Sequence, residues 1–327
     1  MPHTYAIGLR TRFRGITQRQ GMVWQGAAGW AEWSPFLDYD GPELIPWLEA
    51  AEEAADQGWP APVRDEVEVN ATVPAVRPDQ AAAIVVEAGC RTAKVKVAEP
   101  GQDLGDDLAR VAAVRDALGS RGRIRVDANG GWDVEQATAS LARLVRYDLE
   151  YAEQPCPTVD DLAALRLALA RAGVDVLIAA DESIRRAADP YLVARRQAAD
   201  IAVLKVQPLG GVRACLAVAA QIGLPVVVSS ALETSIGIAA GIALAAALPE
   251  QLYACGLNTV RLLSGDLTDA PLVATDGRLP VRPIVPAPQL LSDHAADAAT
   301  ARFWQARLDE TRRLAVGQGH RRRCIDG

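Results

Sequence analysis

Histidine is scarce. Only three occur in 327 residues, His3, His294 and His320, all near the chain ends. A zinc centre of clustered His or Cys is therefore not expected. Cysteine is sparse and scattered. Cys90, Cys156, Cys215, Cys255 and Cys324 form no C-x-x-C pair, and their number is odd. They read as reduced thiols of a reducing compartment, not as a disulfide framework. Long apolar runs are missing too. The most apolar stretch runs only from residue 236 to 248, and a membrane span needs about 20 residues. Residues 1–8 hold no apolar segment of the signal-peptide kind. A cytoplasmic protein with no membrane partner is the expectation. Positive charge is in deficit, with 34 Lys and Arg against 41 Asp and Glu, a net of −7. Nucleic acid is bound through a basic field, so it is not an expected partner. Arg321, Arg322 and Arg323 near the C-terminus do not change that. No G-x-G-x-x-G follows a strand-like run, so the fingerprint of an open dinucleotide-binding sheet is absent. Gly210 and Gly211 precede no P-loop lysine or serine and read as a helix opening.

Half of the residues are hydrophobic and 23% are charged. A chain of this length buries a large core without staples. A (β/α)8 barrel takes about 250 residues, which leaves a remainder for a second unit. Short β-branched runs fall at residues 67–73, 93–97, 124–126, 149–152, 176–179, 201–206 and 225–228, with a weaker eighth at 256–262. Helical faces lie between them. Leu104, Leu108, Val111 and Leu118 make one, and Val134, Leu141, Leu144 and Val145 another. Leu162, Leu165 and Leu169 make a third. Apolar strands alternating with helices predict a parallel sheet covered by helices. The predicted fold class is α/β, a barrel catalytic domain over 66–285. Residues 1–65 are the predicted capping domain. They hold Trp24, Trp30, Trp33, Trp47 and Trp59, a hairpin at 4–13 and 22–25, and a helix at 42–57. Residues 11–21, with Arg12, Arg14 and Arg19, read as a loop closing over the barrel mouth. Pro60 and Pro62 mark the linker. Residues 286–327 form a C-terminal segment, with a helix at 295–314 packed on cap or barrel and fraying after about 317.

The ionisable residues stand where apolar strands should not carry charge. Lys94 and Lys96 lie inside one run and Lys205 inside another. Asp127, Glu153 and Asp181 each end a run. In a barrel of this kind the strand C-termini share the active-site face. Lys94 and Lys96 are two apart and point the same way. A lone carboxylate at a strand end is usually a helix cap. Six such positions on five successive strands need a common cause. Three carboxylates from neighbouring strands suit one hard divalent cation such as Mg2+. Two lysine-bearing strands across that site suit proton abstraction next to a carboxylate. Lys94 and a nearby divalent ion would both repel the Lys96 proton.

The motifs AKVKV (93–97), RVDANGGW (125–132), YAEQPC (151–156), IAADES (178–183) and IAVLKVQPLGG (201–211) resemble the enolase superfamily, in its muconate-lactonizing subgroup. The resemblance implies a (β/α)7β modified TIM barrel with an α+β cap. It places Mg2+, with Mn2+ as substitute, on Asp127, Glu153 and Asp181. It makes Lys96 the acid/base residue, with Lys94 beside it and Lys205 on the opposite face of the substrate. Asn129 supports the site. Residues 13–40, 229–241 and 254–267 are similar to the short actinobacterial dehydratases of the subgroup. Those act on a small-molecule dicarboxylate, 2-succinyl-6-hydroxy-2,4-cyclohexadiene-1-carboxylate, which they convert to 2-succinylbenzoate in menaquinone synthesis. Ser229, Ser230, Gly256 and Leu257 are then expected to hold the succinyl tail. The rival activity is N-succinylamino acid racemisation or another epimerisation by the same two lysines. The sequence Gly256-Leu257-Asn258-Thr259 lacks the Asp-x-Asp of dipeptide epimerases. A monomer or small homo-oligomer is the expected state.

Overall fold

The computed structural model describes residues 2–325, with side chains described to residue 317. Strands β1 (His3–Phe13) and β2 (Ile16–Gln25) form an antiparallel hairpin, and β3 (Trp30–Trp33) adds a third strand. The predicted mouth loop at 11–21 is therefore mostly strand. Arg14 and Gly15 make the turn, both at positive φ (51° and 76°), the backbone twist that two-residue hairpins favour. Helix α1 (Ile45–Glu52) follows, with a 3-10 turn before it and a π turn after it, so the predicted helix at 42–57 forms in three pieces.

The predicted run at 67–73 is split. Strand β4 (Glu66–Glu68) turns away, and β5 (Ala71–Val73) opens the main sheet. The sheet continues through β6 (Thr92–Lys96), β7 (Arg123–Asp127), β8 (Leu149–Glu153), β9 (Ile178–Ala180), β10 (Ile201–Lys205) and β11 (Val226–Ser229). These seven are parallel and stand in sequence order. The eighth place is held by Cys255 and Gly256 alone. Cys255 N donates to Glu68 O at 2.7 Å, and Gly256 N donates to Val228 O at 2.8 Å. Both neighbours are thereby bridged and the barrel closes. The expected eighth run at 256–262 is a 3-10 turn past Gly256. Strand β12 (Arg278–Pro280) pairs antiparallel with β4.

Helices α2 (Pro78–Ala88), α3 (Leu104–Leu118), α4 (Val134–Leu144) and α5 (Val159–Ala172) cover the first strands. Asp103 and Asp133 start α3 and α4 with reciprocal capping boxes, which fix where each helix begins. After β9 come two short helices, α6 (Glu182–Arg185) and α7 (Leu192–Arg195). Helices α8 (Val212–Gln221) and α9 (Ser235–Ala247) complete the ring. Helix α9 is buried along nearly its whole length, which explains the apolar stretch at 236–248. Among the described residues no helix is long and apolar enough to cross a membrane. The chain ends in α10 (Pro288–Asp293) and α11 (Ala298–Ile325). The segment expected to fray after about 317 is helical to Ile325. Helix α11 packs on the cap. Trp304 meets Trp33 edge to face at 5.5 Å, and Arg307 donates to the carbonyls of Pro35, Phe36 and Tyr39.

Two cap carboxylates seat the barrel helices. Glu53 accepts from Val212 N and Arg213 N, filling the opening that Gly210 and Gly211 make at φ 92° and 116°. Glu32 accepts from Thr234 N and Gly237 N, both at 3.1 Å, and from Tyr5 Oη at 2.6 Å. Each negative charge lies at a helix N-terminus, where the dipole favours it. Glu233 stands beside Glu32. Burial, then the charge of Glu32, pushes its carboxyl up from 4.5 to about 7. The folded state thus favours the neutral form. Stability from this group is full below about pH 4.5 and is lost as pH rises to about 7. Glu233→Gln is expected to stabilise the protein at pH 8 by up to about 3 kcal/mol. Urea unfolding at pH 8 and pH 4.5 checks this, with the gain expected to vanish at the lower pH.

Candidate active site

The parallel register brings charged residues side by side at the strand C-termini. Lys96 pairs with Asp127, and Asp127 pairs with Glu153. Asp181 follows β9 directly. Lys94 and Lys96 both reach Asp127 Oδ2, at 3.2 and 2.6 Å. Lys94 Nζ also lies 2.6 Å from Glu153 Oε1. Lys205 Nζ donates to Asp181 Oδ2 at 2.7 Å. Strand β6 is second in the sheet and β10 is sixth, so Lys96 and Lys205 stand on opposite walls of the closed barrel.

The three carboxylates are at most 1% exposed, so water does little to screen them. Burial alone would raise the pKa of Asp127, but Lys96 and Lys94 hold it below the usual carboxylate range. Asp181 is also held low against its burial, by Arg185 and Lys205. Glu153 differs. Its burial, with Asp127 and Asp181 nearby, pushes its carboxyl up to about 7 although Lys94 opposes the shift. Burial works against the charge of Lys94, yet Glu153 and Asp127 keep its pKa above the ordinary range. Lys205 is lowered, first by burial and then by Arg185 and Lys94, against the pull of Asp181.

Asn129 stands in the left-handed region at φ 47°, which asparagine tolerates. Its backbone N donates to Asp127 Oδ1 at 3.1 Å, and its Oδ1 accepts from Lys96 Nζ at 2.5 Å. Its Nδ2 donates to Glu182 Oε1 at 3.3 Å. Lys94, Lys96, Asp127, Lys205, Asn129, Ser229, Ser230 and Gly256 all line one cavity, which Phe13, Arg14 and Phe36 of the cap cover. Gly256 is needed there, because a Cβ on it would lie 2.5 Å from Ser229 Oγ. Leu257 is the exception. It is fully buried and packs toward Gly241 of α9, away from this cavity. Arg19 also departs from its expected role as a mouth-loop charge. It is buried and donates to the carbonyls of Leu232 and Ala231.

The cavity is small, about 40 Å³. A larger one of about 510 Å³ lies against α2 and residues 258–273, and none of the six charged strand-end residues lines it. The chemistry therefore belongs to the smaller space.

Two residues escaped the sequence reading. Arg185 is paired with Asp181 through Nε at 2.9 Å. Gln154 is fully buried, and its Oε1 accepts from Asp181 N at 2.9 Å and Ser183 N at 3.2 Å. Its Nε2 donates to Cys156 O and Ser183 Oγ. Its place in YAEQPC, next to Glu153, was the available signal. Asp181 stands at the N-cap position of α6, but its side chain caps no helix N–H.

Among the described residues no three His, Cys, Asp or Glu side chains are placed so that they could hold one metal ion as they stand. The lysine amines stand between the carboxylates. The donor set still fits a hard cation. It consists of carboxylate oxygens, it is sealed from solvent, and burial, with the charges of Asp127 and Asp181 beside it, raises Glu153.

Comparison with known proteins agrees with this arrangement. The family pattern described as Enolase C-terminal domain-like matches residues 77–286, and Enolase N-terminal domain-like matches residues 4–55. The chain is 60% identical to the o-succinylbenzoate synthase of Thermobifida fusca over 308 residues, covering 94% of this chain and 95% of that one. It is 52% identical to that of Mycolicibacterium smegmatis, covering 94% and 93%. The muconate lactonizing enzyme of Pseudomonas fluorescens, solved with muconolactone, superposes with a TM-score of 0.75 at 21% identity, over 90% of this chain and 98% of that one. A dipeptide epimerase of Enterococcus faecalis, solved with Mg and L-Leu-L-Tyr, gives 0.72 at 21% identity, over 88% and 97%. These two show the shared fold. The chain belongs to the enolase superfamily and, within it, to the o-succinylbenzoate synthase family.

Replacing Gln154 by Ala leaves the buried N–H groups of Asp181 and Ser183 without a partner. The expected loss is about 2–4 kcal/mol in urea unfolding.

Proposed function

We propose that the protein converts 2-succinyl-6-hydroxy-2,4-cyclohexadiene-1-carboxylate to 2-succinylbenzoate and water. The observation that carries the chemistry is the pair of lysines on opposite walls with three buried carboxylates between them. The identity to named o-succinylbenzoate synthases supports the choice of substrate.

Asp127, Glu153 and Asp181 would hold one divalent cation, Mg2+ with Mn2+ as substitute. That ion supplies positive charge for the substrate carboxylate and for the enediolate it becomes. Lys96, as the neutral amine, takes the α-proton. Asn129 keeps Lys96 aimed through its Oδ1. The electron pair of the broken C–H bond moves into the carboxylate. It then returns to form the ring double bond as the C–O bond breaks. The Lys96 ammonium gives its proton to the departing hydroxyl, so water leaves from the face that lost the proton. Lys94 stays charged beside the carboxylates. Lys205 stays charged on the opposite wall and stabilises the electron-rich ring. Ser229, Ser230 and Gly256 line the space for the succinyl arm, and Arg14 of the cap lines the same cavity. A cavity of about 40 Å³ has room for about one water. The cap over the cavity must therefore lift to admit the ring and close behind it.

Purified protein with Mg2+ is expected to form 2-succinylbenzoate, to stop with EDTA, and to recover with Mg2+ or Mn2+. Lys96→Ala is expected to lose at least about 1,000-fold in kcat. N-Succinyl amino acids are assayed alongside. Racemisation of these without dehydration of the cyclohexadiene would replace the dehydratase reading with the racemase one.

A further inference from the structure

Arg185 and Arg186 are adjacent in sequence and meet different partners. Arg185 is buried beneath the cap and uses three nitrogens in three directions. Nε donates to Asp181 Oδ1 at 2.9 Å, Nη2 to Glu182 Oε1, and Nη1 to the hydroxyl of Tyr39 in the cap. Arg186 lies over the Tyr39 ring at 4.2 Å and donates to Asp38 Oδ2 and Asp38 O, both at 2.9 Å. Tyr39 is itself fixed within the cap. Its ring meets Trp47 of α1 at 5.2 Å, and its carbonyl accepts from Arg307 of α11.

We propose that Arg185 is a positioning residue that couples docking of the cap to cation binding at the barrel mouth. The inference rests on the reading of Asp181 as a metal ligand. A guanidinium is a rigid planar fork, so a shift at one nitrogen is felt at the others. Arg185 holds one oxygen of Asp181, while Lys205 meets the other. The same fork reaches the base by a second line. Glu182 Oε1 accepts from both Arg185 and Asn129, and Asn129 accepts from Lys96. The cap cannot lift without breaking the Tyr39 contact, and then Arg185 loses the partner that aims it at Asp181. By linkage, a cation that prefers the aimed Asp181 must hold the cap down by the same free energy. The closed cap and the loaded site are thus one state, and the open cap belongs with a weaker site.

The test uses the full chain and Mg2+ alone, titrated by calorimetry into metal-free protein. Tyr39→Phe deletes only the hydroxyl and leaves the ring packing. It is expected to weaken Mg2+ binding by about three- to tenfold. Arg185→Met is expected to weaken it by about 10- to 100-fold, the usual range for a partner of a metal ligand. Hydrogen exchange gives the reciprocal readout. Mg2+ is expected to slow amide exchange at residues 38–43 in the wild type and to slow it less in Tyr39→Phe. Mg2+ affinities within twofold of wild type in both variants would overturn the proposal. So would equal Mg2+ protection of residues 38–43 in wild type and Tyr39→Phe. A wild type that binds no Mg2+ would overturn the metal reading itself, a result distinct from either.

Discussion

The structure depends on a charge balance sealed from water. Asp127, Glu153 and Asp181 end adjacent strands and are nearly inaccessible. Buried carboxylates persist only when paired. Here the pairs are the amines of Lys94, Lys96 and Lys205 and the guanidinium of Arg185. In the proposed reaction those amines are also the chemical groups. The arrangement is therefore self-contained without a cation yet ready to exchange partners when one enters. Replacing the set by apolar residues would relieve desolvation, so its presence points to chemistry and not to stability.

Everything around the mouth serves to hold that set in register. The parallel ladder lines up Lys96, Asp127 and Glu153 on neighbouring strands. The positive-φ turn at Asn129 brings its side chain back onto Lys96 and its N–H onto Asp127. Gln154 fixes the backbone at Asp181 from the adjacent strand end. The cap is tied down at helix N-termini by Glu32 and Glu53. It brings Phe13, Arg14 and Phe36 over the cavity. Thus the cap covers the cavity, while the barrel supplies the groups to which the proposed reaction is assigned.

Much of this was legible in the chain itself. Apolar runs interrupted by charge, at Lys94, Lys96 and Lys205, were visible because a parallel strand buried on both faces leaves no ordinary place for lysine. The carboxylates at strand ends were visible for the same reason. Elements fixed by long-range contacts were harder to read. The eighth strand is reduced to Cys255 and Gly256, too short for any periodicity. Strand β4 departs because β12, over 200 residues later, pairs with it. The hairpin tip at Arg14 and Gly15 read as loop because its charges masked strand pairing. Leu257 sits in a segment rich in site residues, yet its side chain packs on α9. Arg185 acts through other side chains and Gln154 through the backbone at Asp181 and Ser183, and no spacing rule exposes such partners.

We propose that the three buried carboxylates hold one divalent cation against the lysines. A crystal grown with Mn2+ and 2-succinylbenzoate tests it, because anomalous scattering locates the metal independently of any assumed ligand. One strong peak is expected, bound by oxygens of Asp127, Glu153 and Asp181, with the carboxylate of the aromatic acid beside it and Lys96 facing its ring. A peak elsewhere, or no metal among these carboxylates while the acid is bound, would contradict it.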